Sequence, residues 1–556
     1  MSSGGDDALA GGYLAADDEA ELKRSIDAVV GSPSPRKLVV AGPGTGKTTL
    51  FRKLLEASPG DTGSRLVLTF VNTLKDDLED DLAELASVFT LHAYCLSLLH
   101  KSRSLRRSLS EEFACCPGLA SLIGEDWKLL MGSKPPKFVS QMRSLNTSNE
   151  LRFYFRRGKY YDAVDFDDTV FRVLAGLRSG RVTCPRYDLV LIDEYQDFNA
   201  LEAGVVDCLA ADNRIVIAGD DDQALYSQLR DASWEHIRNL TESGSYELFS
   251  LPFCMRCPEV IVDAVEDVLA QARHNGKLTG RIEKPYKFFA PVKAPDSNKY
   301  PRILSVCTSC QSLKCNYMGR YICEAVKQIP ADELAAAVDG GYPAALVIAA
   351  RPYRDQILRY LQDDGCTVKS RKESPSGISR GCGLEMLKRD CTSNLGWRVI
   401  LHCDQPAFAK SAIGKTSDGA CRLVEGLPEA YVSRILSEAE AYTTPDVSDD
   451  DCPTPDEVAA IEVTSFEGAK GLSAGHVFIV GLHNGELPAD PTDVKDLEIC
   501  KFLVGLTRTR QKCTLLRSNR FGGVCKKPSS FLSWIDRRRL QDVYIDKGVW
   551  TAGHRQ

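Results

Sequence analysis

The sequence predicts an α/β protein built on parallel sheets, with helical blocks inserted into them. Three observations carry this. Apolar runs of strand length alternate with helical stretches from residue 37 onward, and strands alternating with helices imply a parallel sheet. The alternation stops between about 98 and 185, where helical periodicity with basic side chains takes over, and then returns. A second alternating block begins near Leu251 and is itself interrupted between about 376 and 455.

The elements follow in order. An acidic lead-in ends in a short helix over 19–30. A buried strand at 37–41, a helix at 47–55, a strand at 65–70 and a helix at 74–85 come next. After the helical block, strand-length runs stand at 187–192 and 214–218. The second block offers a helix at 259–272 and strands at 302–306, 344–350, 462–464, 476–480 and 513–516. Its interruption is rich in Gly, Ser, Asp and Pro, as in Ser374-Pro375-Ser376-Gly377 and from Thr444-Pro445 to Pro455.

Composition narrows the class. A chain of 556 residues with 43% hydrophobic and 26% charged residues has the balance of a folded multidomain protein. No run of about 18 apolar residues exists to span a membrane. Residues 1–20 carry Asp6, Asp7, Asp17, Asp18 and Glu19 and no base, unlike a secretory or organellar leader, so an intracellular location is expected. The net charge of −7 hides a segregation. Between Lys101 and Lys159 there are 12 Lys and Arg against 5 Asp and Glu, a basic module suited to nucleic acid.

Two motifs carry chemistry. Gly42-Pro43-Gly44-Thr45-Gly46-Lys47-Thr48-Thr49 follows a strand and opens a helix, the setting in which backbone N–H groups surround phosphate oxygens. Lys47 then reaches the β and γ phosphates and Thr48 holds Mg²⁺. The run 189–192 ends in Asp193-Glu194, where the first acid supports the metal and the second aligns and deprotonates water.

Further residues carry a family resemblance. Asp193-Glu194-Tyr195-Gln196-Asp197, Gly219-Asp220-Asp221-Asp222-Gln223-Ala224-Leu225-Tyr226, Gly468-Ala469-Lys470-Gly471-Leu472 and Leu506-Thr507-Arg508 resemble, in order and spacing, the UvrD/Rep-like superfamily-one DNA helicases. With Leu68-Thr69-Phe70-Val71-Asn72 and Thr90-Leu91-His92, the likeness spans about residues 37 to 517. It implies two RecA-like P-loop domains sharing an ATP cleft, each with an inserted, mainly helical subdomain. The implied boundaries are 1–97 and 186–250 for the first domain, with a basic helical insertion at 98–185. They are 251–375 and 456–545 for the second, with a small insertion at 376–455 and a tail at 546–556.

The resemblance also implies roles. Gln223 senses the γ-phosphate, and Arg256 and Arg508 reach it from the second domain. Gly471, after Lys470, belongs to the loop that links cleft and strand. Phe70, Asn72, Thr90, His92 and Tyr226 line a single-strand track. The implied activity is Mg²⁺- and ATP-dependent movement along single-stranded DNA, 3′ to 5′, with unwinding of tailed duplex. A nucleic-acid-gated ATPase subunit that regulates a partner, such as a nuclease in repair or genome defence, is the alternative. RNA stays open as the track.

Departures from the family fall on the nucleoside side and on the strand grip. Residues 1–41 contain no Gln to read adenine, the aromatic position before the cleft arginine is Met255, and the ribose-contacting Glu is Ser473. These changes lead us to expect relaxed base selectivity. No Trp follows Tyr226 closely, and Glu467 stands where a histidine is usual. The pairs Cys254-x-x-Cys257 and Cys307-x-x-Cys310, with Cys315, resemble zinc spacing, but Cys254 and Cys257 flank Arg256, which must stay free; zinc is not expected. The Asn394-Leu395-Gly396-Trp397-Arg398 run reads as packing more than as a partner contact.

Overall fold

The protein is described by a computed structural model. It describes residues 6–546 apart from 71–74, 76, 77, 80, 107, 108, 371–377, 417, 418 and 444–460. Asn72, the Ser374–Gly377 run and the 444–455 stretch therefore lie outside the described residues, as does nearly all of the tail.

Two parallel sheets form the frame. The first has six strands: β1 Arg36–Ala41, β2 Arg65–Thr69, β3 Ser87–Thr90, β4 Leu189–Ile192, β5 Ile215–Gly219 and β6 Glu247–Leu251, in the order β3-β2-β4-β5-β1-β6. The second has seven: β7 Ile303–Thr308, β8 Ala345–Ala349, β9 Val368–Ser370, β10 Ile461–Thr464, β11 Ala474–Val480, β12 Thr509–Ser518 and β13 Leu540–Ile545, in the order β9-β10-β8-β11-β12-β7-β13. Every pairing in both sheets is parallel. Parallel strands are covered on both faces, which is why β1, β4, β5 and β8 read as unbroken apolar runs.

Alternate side chains of each sheet feed separate cores. Leu38, Val40, Leu66, Leu68, Val190 and Ile192 face the helical block, while Val39, Val67, Leu191 and Val216 pack on helix Lys47–Ala57 with Leu50, Phe51, Leu54 and Leu55. The N-terminal helix runs Asp6–Gly31, thirteen residues earlier than the sequence suggests. Among the described residues no helix is long and apolar enough to cross a membrane.

Between β3 and β4 lie helices Leu91–Lys101, Leu119–Met131, Phe138–Arg143, Asn149–Tyr161 and Phe166–Arg178. Between β9 and β10 lie Arg380–Arg389, Asn394–Asp404, Ala409–Lys415 and Glu429–Ala441, more helix than the Gly- and Pro-rich composition suggests. The two helical blocks are joined. Leu395 and Val399 enter the first block's core, and Trp397 is fully buried, its indole N–H donating to the Cys391 carbonyl at 2.8 Å.

A buried ion cluster fixes this junction. Asp126, fully buried, accepts from Arg157 Nε at 2.8 Å, Tyr161 Oη at 2.6 Å and Arg398 Nε at 2.8 Å. Arg398 also reaches Glu125 at 2.8 Å, and Arg157 reaches the Thr416 carbonyl at 3.0 Å. Removing one partner of such a cluster leaves an uncompensated buried charge, a loss of about 3–5 kcal/mol. Arg398→Ala should therefore lower the free energy of unfolding by about 3 kcal/mol in urea denaturation. Arg389→Ala, which removes only an exposed pair with Glu385, should change it by less than about 0.5 kcal/mol.

Candidate functional site

The carboxyl ends of β1, β4 and β5 point at one crevice, the place where open parallel sheets bind ligands. The loop after β1 turns through Gly44 (φ 72°) and Gly46 (φ 86°), left-handed conformations that a side chain would strain. A Cβ on Gly44 would also lie 2.5 Å from Arg256 Cβ. Lys47 is the first residue of helix Lys47–Ala57, so the loop's amides and the helix N-terminus face the same opening.

That opening is a cavity of about 270 Å³, and both sheet units line it. Its walls are residues 43–48, Asp193, Glu194 and Gln223 on one side, and Met255, Arg256, Lys470, Gly471, Arg508 and Arg510 on the other. The structure thus brings together every phosphate-side residue that the sequence singles out, except Gly42, which backs the loop, and Thr49, which lies one residue beyond the lining.

Charges inside it are ordered. Lys47 Nζ lies 3.1 Å from Glu194 Oε1, and Lys470 Nζ lies 3.2 Å from Glu194 Oε2. Burial opposes ionisation of Glu194, but the two lysines beside it hold its carboxyl well below the usual range. Gln196 Nε2 donates to the same carboxylate at 2.6 Å. The Glu194 backbone is left-handed (φ 53°), a strain of about 1–2 kcal/mol that the surrounding contacts hold in place. Lys470 is also paired with Asp197 and donates to the Gln223 carbonyl at 2.8 Å. One lysine of the second unit therefore bonds to three points of the first.

Gln223 is a relay by position. Its Nε2 donates to Asp220 at 2.7 Å, and its Oε1 accepts from Arg508 Nη2 at 3.1 Å. Burial, and next the nearby Arg256 charge, pull the Arg508 pKa down to about 10. Arg256 donates to the Thr507 carbonyl at 3.4 Å. Among the described residues, no carboxylate lies within ion-pair distance of Arg256, Arg508 or Arg510. Arg256 and Arg508, arginines without acidic partners among the described residues in one crevice, mark a site for a multiply charged anion.

The Asp193 carboxyl points the same way. Burial, and next the Glu194 charge, raise its pKa to about 6, and its Oδ1 is buried without a hydrogen-bond partner. With the Thr48 hydroxyl on the same wall, it offers oxygen donors of the kind that suit Mg²⁺.

Sequence reading missed several neighbours. Arg510 follows Arg508 by two residues and carries no motif of its own. Asp221 is bound by Arg238 at 2.8 Å, and Asp222 by Arg281 at 2.6 Å and Lys284 at 2.6 Å. Lys284 also reaches Asp220 at 2.7 Å. Tyr286 donates to the Pro43 carbonyl at 3.1 Å behind the loop. Segment 281–286 thereby neutralises the acidic run and backs the phosphate loop, a long-range pairing that only the fold discloses.

The residues singled out for a strand track gather in part. Phe70 and Tyr226 have ring centroids 5.2 Å apart, and the Arg230 guanidinium lies 4.3 Å over Phe70 and 3.3 Å from His92 Nε2. Phe70 is only 5% exposed and packs on Phe198, so it serves the core here and not as an open stacking platform. The Thr90 hydroxyl caps helix Leu91–Lys101 by accepting from the Ala93 N–H. Burial, and next Arg230, pull the His92 pKa down to about 3, so the ring is neutral. Tyr226 Oη donates to the Glu467 carbonyl at 3.0 Å, and Glu467 is paired with Lys501 at 2.8 Å. The acid that would repel phosphate is thus neutralised.

The zinc-spaced cysteines stay apart. Cys254 Sγ lies 3.2 Å from Tyr286 Oη behind the phosphate loop, whereas Cys307 Sγ lies 3.2 Å from Asn519 Oδ1 in the second sheet.

Residues 133–244 match the model of the UvrD/REP helicase N-terminal domain. Part of the chain is thus similar to the UvrD/Rep helicases. The ATP-dependent DNA helicase UvrD1 of Mycobacterium leprae (strain TN) is 26% identical over 274 residues, which cover 38% of this chain and 35% of that protein. The ATP-dependent DNA helicase Rep of Buchnera aphidicola subsp. Baizongia pistaciae (strain Bp) is 24% identical over 234 residues, 34% of each. The chain spans about a third of the length of these curated UvrD/Rep relatives. Among solved structures, S. cerevisiae Dbp5 bound to RNA and ADP BeF3 aligns with a TM-score of 0.38 at 11% identity, covering 96% of this chain and 90% of that one.

Proposed function

We propose that this chain is an ATP-hydrolysing motor that moves 3′ to 5′ along single-stranded DNA and unwinds tailed duplex. The observation that carries the reading is the crevice. A phosphate loop and an Asp-Glu pair on one sheet unit face Arg256 and Arg508 on the other, neither of which has an acidic partner among the described residues. The names of the UvrD and Rep relatives support the same activity. In this reading the first ATP-binding domain comprises 1–97 and 186–250, the second 251–375 and 456–545, with insertions at 98–185 and 376–455.

Lys47 and the amides of residues 43–48 hold the β and γ phosphates. Thr48 and Asp193 would hold Mg²⁺, which supplies charge neutralisation on those oxygens. Lys47 rests on Glu194 in the free cleft. When phosphate draws Lys47 away, the Glu194 carboxyl loses its nearest cation and rises toward its ordinary pKa, becoming a better base for the attacking water. Arg256 and Arg508 donate to the γ-phosphoryl as its charge spreads. Gln223 bonds Arg508 on one side and Asp220 on the other, so a shift at the phosphate reaches the first sheet.

The test is strand separation by the purified chain on a 3′-tailed duplex with Mg²⁺ and ATP. Release of the displaced strand, absent in Lys47→Ala, is expected. Turnover without strand release favours the second reading, a DNA-gated ATPase that regulates a protein partner. The covered Phe70 ring and the capped Thr90 hydroxyl favour that reading over processive unwinding.

A further inference from the structure

The two halves of the crevice are built differently, and the difference bears on which nucleotides fit. The phosphate half is crowded with groups that bind oxygen anions. Of the acceptor side chains that line the crevice, Asp193, Glu194 and Gln223 all stand on that half. Glu194 is engaged by Lys47, Lys470 and Gln196, and Gln223 by Asp220 and Arg508. The remaining wall offers Met255, Gly471 and Arg510. A thioether and a glycine carry no side-chain donors with which to read the edge of a base.

Arg510 is the exception, and it is held as a plane. Its Nε donates to Ser473 Oγ at 2.8 Å. Its guanidinium carbon lies 4.1 Å over the Tyr342 ring centroid, so one face is covered. Its backbone carbonyl accepts from Lys293 Nζ at 2.9 Å, which anchors the start of β12. Burial, and next the Arg256 charge, disfavour its ionised form, and no carboxylate among the described residues compensates it. This planar cation is fixed by a hydrogen bond at one edge and a ring on one face, and among the described residues nothing bonds its two terminal nitrogens, which a ligand can take. Planar guanidinium stacks on any aromatic face. Stacking of bases on such planes tolerates all four bases, because each has a π-face.

We infer that Arg510 is a base-blind platform for the nucleoside, and that the crevice accepts ribonucleoside triphosphates in general, with adenine not singled out. This rests on the reading of the crevice as a triphosphate site and adds its substrate class. Arg510 holds the base by its face, Ser473 fixes the plane, and Met255, whose terminal methyl lies beside Gly46 of the phosphate loop, selects no edge. Triphosphate recognition supplies most of the affinity.

The test uses equilibrium binding of the β,γ-imido analogues of ATP, GTP, CTP and UTP with Mg²⁺ to the full chain, with inorganic tripolyphosphate as the base-free probe. The four analogues should bind within about fivefold of one another. Arg510→Ala should weaken all four by roughly tenfold and change tripolyphosphate binding by less than about twofold. Arg510→Lys keeps the charge but not the plane, so it should match Arg510→Ala for the nucleotides. An adenine analogue bound more than about fiftyfold tighter than the cytosine one overturns the inference and leaves the triphosphate site standing. So does equal loss of tripolyphosphate and nucleotide, or full rescue by lysine, since either makes Arg510 a phosphate contact. Failure of every triphosphate to bind removes the site itself and this inference with it.

Discussion

Replacing Lys47 with alanine is expected to abolish nucleotide turnover, lowering kcat/KM by about a thousandfold or more. The ammonium serves two structures in turn. In the free crevice it sits 3.1 Å from Glu194, with Asp193 and Asp220 adding to the field that keeps it charged against the cost of burial. With a triphosphate bound it is the cation that the loop amides cannot replace. Alanine removes the phosphate contact and leaves Glu194 facing Lys470 alone. Steady-state phosphate release checks this, with nucleotide binding measured beside it. A variant that retains more than about a tenth of the wild-type rate would move the triphosphate away from this loop.

Glu194→Gln should separate binding from chemistry. Glutamine keeps the shape and can still accept from Gln196, but it cannot take a proton from water. Turnover should fall by about a thousandfold or more, while the affinity for the imido analogue of ATP stays within about threefold of wild type. The left-handed backbone at Glu194 holds the side chain against Lys47 and Lys470, and glutamine inherits that backbone. Single-turnover hydrolysis and analogue binding on one preparation give both readings. Turnover that survives in Glu194→Gln takes the base away from this residue and leaves Asp193 as the next carboxylate on the wall.

Much of this site is legible in the linear chain, because its chemistry is local. The loop at 42–48, the strand running into Asp193-Glu194 and the strand running into Asp220 each carry backbone geometry and side chains within a few residues. The strands at 37–41, 189–192 and 345–349 are equally plain, since burial on both faces makes them uniformly apolar. Edge strands are not. Glu247–Leu251 is half exposed and Leu540–Ile545 alternates with polar residues, so neither reads as a strand until pairing supplies the missing hydrogen bonds. At Phe70 the sequence does not separate a core role from a stacking role, because a strand-end aromatic looks the same whether its face is open or covered. Arg230, 160 positions later, decides it.

Long-range charge pairing was also invisible. Arg398 is the lone charge in the mostly apolar run 395–401, yet it is 2% exposed and meets Asp126 across the junction of the two helical blocks. Arg281 and Lys284 look like surface bases and instead neutralise Asp220 and Asp222. Arg510 sits beside a recognisable arginine and became informative only when the fold placed it in the crevice over Tyr342. In each case the sequence shows a charge, and the partner that gives it meaning is on another element.

The most direct test of the central claim is ATP turnover by the purified chain with and without single-stranded DNA, at two salt concentrations. The account predicts strong stimulation by the strand that declines as salt rises, because phosphate contacts release counterions on binding. Turnover indifferent to DNA at both salts would contradict a strand-coupled motor, even with the hydrolytic crevice intact.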